Sequence, residues 1–64
     1  MASKLQTLLL EDLEVAIAIS EVFTNSKRTE NRFIVDEKEL SEILLFLKAN
    51  MPDAIYIITN LLEV

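Results

Sequence analysis

Not one glycine occurs in this 64-residue chain. Tight hairpin turns commonly use glycine because they place residues at positive φ, so its absence leans away from a sheet and toward helices. Two further absences narrow the chemistry. Without cysteine there is neither a disulfide nor a thiolate metal site, and without histidine only all-oxygen metal sites remain. A chain of this length makes one domain at most, near the lower limit for burying a sufficient core. Stability must come from apolar burial, and 52% of the residues are hydrophobic. Part of that surface is expected to be covered by a second molecule.

The hydropathy pattern is best served by three helices. Ser3 followed by Gln6 resembles a capping box, which starts the first helix near Lys4 and carries it over about residues 4–24. On a helical wheel Lys4, Thr7, Glu11, Glu14, Ala18, Glu21 and Asn25 form a narrow polar stripe. The remainder is an apolar arc of roughly 240°, where a surface helix needs little more than about 100°. Intramolecular neighbours cannot cover such an arc. Leu5, Leu9, Leu13, Ala16, Ile19 and Phe23, with Asp12 among them, are therefore the expected dimer interface. Asp12 either faces water at the arc's margin or fixes register between chains as an interfacial polar group.

Residues 25–35 read as a connector, polar in "TNSKRTEN" and extended in "RFIV". Asp36 and Glu39 then form a second capping pattern, with Val35 placed to staple onto Leu40. This second helix spans about 37–50, with Leu40, Ile43, Leu44, Leu47 and Met51 on one face and Leu45 left outside. Pro52 stops it and can open a third helix over about 52–63, whose stripe is Ala54, Ile57, Ile58, Leu61 and Leu62. The rival for the last segment is a strand, since "AIYIIT" is rich in β-branched and aromatic residues. The expected fold is thus all-α: a small helical bundle of two long helices and a shorter C-terminal one, completed by dimerisation. The alternative is α+β, with short strands at 32–35 and 54–59 paired in parallel around the second helix.

Function is constrained mainly by exclusion. A DNA-reading helix pair needs bases on its second helix, and the third segment has no Lys or Arg. No thiol or imidazole is available for catalysis, and the serine and threonine hydroxyls lack an evident base. The acidic pairs Glu11/Glu14 and Glu39/Glu42 read as solvated helix faces rather than metal ligands, so no enzyme, cofactor or metal is expected. Acids break up any signal-peptide core after Lys4, and the runs "VAIAI" and "ILLFL" are too short to span a bilayer. A cytoplasmic protein with no membrane partner follows.

Charge lies in blocks: net −3 over residues 1–24, +2 over 25–32 and −4 over 33–64, for −5 in total. Lys27, Arg28 and Arg32 are the one basic cluster, either complementing the end of the first helix or docking an acidic partner or a phosphate. The reading that results is a small acidic accessory protein, a homodimer that binds and regulates a larger protein as adaptor or inhibitor. Its runner-up is a nucleic-acid-binding regulator using residues 27–32, or an acidic decoy of nucleic acid.

Overall fold

The computed structural model describes residues 5–60. It overturns the all-α bundle: the fold is α+β, with two helices on one side of a four-stranded antiparallel sheet. The elements run β1 (Leu5–Leu10), α1 (Leu13–Val22), β2 (Lys27–Thr29), β3 (Arg32–Asp36), α2 (Glu37–Asn50) and β4 (Tyr56–Asn60). The strand order is β2-β3-β1-β4. Ser3 and Lys4, where the first helix was to begin, and Leu61, Leu62 and Glu63 at the end of the third lie outside the described residues.

The single long helix of residues 4–24 is two elements joined at Glu11 and Asp12. Asp12 has extended backbone and its carboxylate accepts the Glu14 N–H at 2.9 Å, capping α1. The 240° arc is divided by that break. Leu8 and Leu10 reach the core from β1, Ala16 and Ile19 reach it from α1, and all four are fully buried. Leucine favours helices, but β1 pairs on both sides, with β3 and with β4, and ladder bonds plus burial on a central strand outweigh that preference.

The expected connector 25–35 is instead a hairpin. Thr29 pairs with Arg32, leaving Glu30 and Asn31 as its turn. Glu30 takes the positive φ, 54°, that the chain has no glycine to supply. Three hydrogen bonds hold this turn: Arg28 Nη1 donates to the Glu30 carbonyl at 2.7 Å, Asn31 Nδ2 donates to the Leu10 carbonyl at 2.6 Å, and Leu10 N–H donates to the Asn31 carbonyl at 2.8 Å. The last two tie the hairpin to β1.

Asp36 caps α2 by accepting the Glu39 N–H at 2.8 Å, while the Glu39 carboxylate accepts the Ser26 hydroxyl. Leu40, Ile43 and Leu47 of α2 close over Phe33 and Val35 of β3 and Leu8 and Leu10 of β1. Phe23 and Phe46 meet edge to face with ring centroids 5.8 Å apart, so the end of α1 is pinned to α2.

After Pro52 the chain turns, the Ala54 N–H donating to the Met51 carbonyl at 3.0 Å, and forms β4 rather than a third helix. The α+β alternative also fails in its pairing. β3 and β4 flank α2 in sequence and both run antiparallel to β1, but β1 lies between them and they do not pair with each other.

Candidate interaction surface

Strand parity divides the sheet into two faces. Leu8 lies opposite Phe33 and Ile58, so these residues with Leu10, Val35 and Tyr56 belong to the face that carries the helices. Leu5, Thr7 and Leu9 of β1, Arg32 and Ile34 of β3, and Ile57 and Thr59 of β4 lie on the other face, which no element covers among the described residues. Its exposed apolar residues are Leu5, Ile34 and Ile57.

In β4 every residue from Tyr56 to Thr59 is exposed. Ile55, just before it, is 60% exposed and Ile57 on the open face 59%; Tyr56 and Ile58 on the helix side remain 38% and 37% exposed. Neither face is closed over. Its outer edge is open as well among the described residues, because β4 stands last in the sheet order. The Glu11 N–H donates to the Ile55 carbonyl at 2.9 Å. Backbone groups of successive strand residues turn to opposite sides, so Ile55, Ile57 and Thr59 address β1. Tyr56, Ile58 and Asn60 then present their N–H and C=O groups outward.

The opposite edge of the sheet is of another kind. β2 has three residues and carries Lys27 and Arg28, a short charged edge that resists pairing with other chains. β4 has five residues, with neither charge nor proline.

The residues that the sequence groups as a dimer interface do not share a surface. Ala16 and Ile19 are buried in the chain's own core, Phe23 packs on Phe46, and Asp12 is an exposed helix cap. Leu5 and Leu9 lie on the open sheet face, whereas Leu13 is exposed at the start of α1. The basic cluster is also divided. Lys27 and Arg32 fall on the open face, while Arg28 pairs with Phe33 on the helix side and bonds to the hairpin turn. Tyr56 and Ile58, two of the three residues whose backbone groups face outward from β4, are missed as a site by helical reading. The signal for them is the aromatic and β-branched run "YIIT".

A depression of about 380 Å³ lies where the loop after α2 meets the start of α1, lined by Glu11, Asp12, Val15, Met51, Asp53 and Ile55. Its acids do not assemble into a metal-binding group, and none occurs elsewhere among the described residues. A smaller hollow of about 210 Å³, mostly apolar, runs beside β4 between Leu9, Asn31, Ile55 and Ile57. No described helix is long and apolar enough to cross a membrane. Comparison with protein-family models, with curated proteins and with solved structures gave no match.

Proposed function

We propose that the protein is a binding module of the cytoplasm, an adaptor or inhibitor that engages a larger protein and carries out no chemistry of its own. Its working surface is β4 with the adjoining apolar part of the open sheet face. The observation that carries this is the exposure of Ile55, Tyr56, Ile57 and Ile58, four consecutive large side chains that lead into and along a strand whose outer backbone groups are also open among the described residues. Leu13, Ile17 and Val22 of α1 are exposed too, but only at β4 does a continuous apolar run coincide with an open strand edge among the described residues, and such a patch marks an interaction site.

A photo-crosslinking residue placed at Ile57 tests it. In extract of the producing cells it should trap a larger protein, and the same residue at the exposed Glu42 of α2 should trap none. Equal trapping at both positions, or no trapped protein at Ile57, would refute the assignment.

Nucleic acid binding is the second reading, supported by Lys27 and Arg32 sharing the open face. Sheets that read single-stranded nucleic acid stack bases on aromatic side chains. By strand parity the aromatic residues of this sheet, Phe33 and Tyr56, belong to the helix side. The net charge of −5 opposes it further.

A further inference from the structure

We propose that two copies of this chain join along the outer edges of β4, antiparallel and about a two-fold axis through Ile58, to form one continuous eight-stranded sheet. The proposal rests on the interaction-module reading and deepens it: the second copy takes the backbone edge of β4, and the open sheet face, with Ile57 on it, is left to the larger protein.

The register follows from which backbone groups are free to pair. Only Tyr56, Ile58 and Asn60 point outward, and an antiparallel partner must meet them with its own outward residues. Centring the axis on Ile58 sets Ile58 against its symmetry mate and Tyr56 against Asn60 of the other copy. Each such pair can exchange two N–H···O bonds. Shifting the axis to residue 57 sets Asn60 against Ala54, outside the strand, and shifting it to residue 59 sets Tyr56 against a position beyond the described residues. On the helix side the two Ile58 side chains then become neighbours, and on the open face Ile57 of each copy lies beside Thr59 of the other.

Charge and closure select a second copy for this edge. A chain of net −5 repels its own kind, yet residues 54–60 hold no charged side chain, so the edges approach without like charges facing each other. The β2 edge carries Lys27 and Arg28, and pairing it with itself would set bases against bases. A β4-to-β4 contact is isologous and closes on itself. It consumes the one long uncharged edge and leaves only the blunted β2 edges at the two ends of the sheet. The paired strip is short, which places the interface among the smaller ones and the dimer in the micromolar range.

Sedimentation of the full chain over a range of concentrations tests the assembly, and Ile58→Pro tests its geometry. The Ile58 N–H points away from β1, so proline there removes no hydrogen bond within the chain. It removes both N–H groups at the axis of the dimer. The unmodified protein should dimerise with rising concentration, and the variant should keep the same circular dichroism while its dissociation constant rises roughly tenfold or more. Should the variant fail to fold, Ile58→Cys supplies an independent measurement in a chain with no other thiol. Residues opposed across the axis are about 5.5 Å apart at Cα, within disulfide reach. Ile58→Cys should therefore cross-link much faster than Leu45→Cys, which is 68% exposed on α2.

A monomer at all concentrations, a dimer indifferent to Ile58→Pro in the folded variant, or equally fast cross-linking at Leu45 would overturn the proposal. None of these results depends on trapping a larger protein at Ile57. The dimer and the module assignment can therefore fail separately.

Discussion

Glu30→Gly should stabilise the protein even though it removes a side chain. Glu30 sits at φ 54°, where a Cβ crowds the following carbonyl. A non-glycine residue in the left-handed region costs about 1–2 kcal/mol. Glycine relieves that strain but gives the unfolded chain more freedom, which takes back about 0.5–1 kcal/mol. The interaction that the turn makes through residue 30 uses its carbonyl, which accepts from Arg28, and this survives the substitution. The net expectation is a gain of about 0.5–1 kcal/mol, or roughly 2–8 °C in Tm for a domain of this size. Removing a carboxylate near Lys27, Arg28 and Arg32 also changes the local charge, so Glu30→Ala is the control. It deletes the same carboxylate, keeps Cβ, and should stay within about 0.5 kcal/mol of the starting protein. Thermal and urea unfolding followed by circular dichroism provide the measurement. A glycine variant no more stable than the alanine variant would refute the assignment of backbone strain to this turn.

Ala16→Glu places a carboxylate in the fully buried contact between α1 and the sheet and should cost several kcal/mol, enough to unfold much of so small a domain; Glu21→Ala on the exposed side of α1 should stay within about 0.5 kcal/mol. Asp12→Ala loses the cap on α1 and should cost about 1 kcal/mol in urea unfolding, whereas Asp12→Asn should retain most of it. Asn31→Ala frees the Leu10 carbonyl from its side-chain donor and should cost about 1–2 kcal/mol, with faster amide exchange at the start of the hairpin. Mobility-shift assays at low salt should show no complex with nucleic acid, and a salt-sensitive complex at submicromolar protein would promote the second functional reading.

Only part of this fold was legible in the sequence, and particular residues show why. The start of α2 is marked by Asp36 and Glu39, and the Asp36 cap forms because its requirements are local: one carboxylate within reach of one free N–H. The hairpin was hidden because its turn lacks the glycine that would advertise it. A strained Glu30 and the bonds from Arg28 and Asn31 replace that glycine, and the Asn31 bond spans 21 positions in sequence. Such a bond leaves no periodic trace. β1 was hidden by composition. In "LQTLLL" leucines fall on both faces, with one polar residue on each, as a central strand can carry, and so leucine-rich a segment is equally consistent with a helix.

Two features that sit awkwardly on a single first helix become consistent once it is divided. An apolar arc of roughly 240° exceeds what one surface helix can bury and calls for a second chain. Asp12 within that arc has either to face water at its margin or to serve as an interfacial polar group. Both are signs of a break: Asp12 is polar because it caps α1, and the arc is wide because it overlays a strand and a helix that bury their apolar sides in the same core. The excess apolar surface inferred from composition is real, but only part of it stays on the first segment, at Leu5, Leu13, Ile17 and Val22. Exposed Ile55, Tyr56, Ile57 and Ile58 place another part around β4, where a strand can offer a partner both side-chain area and an unpaired row of backbone groups. A helix can offer only the first of these. Misreading β4 as a helix therefore hid more than its conformation: it concealed the one part of the described residues where backbone pairing and apolar burial can act on the same partner.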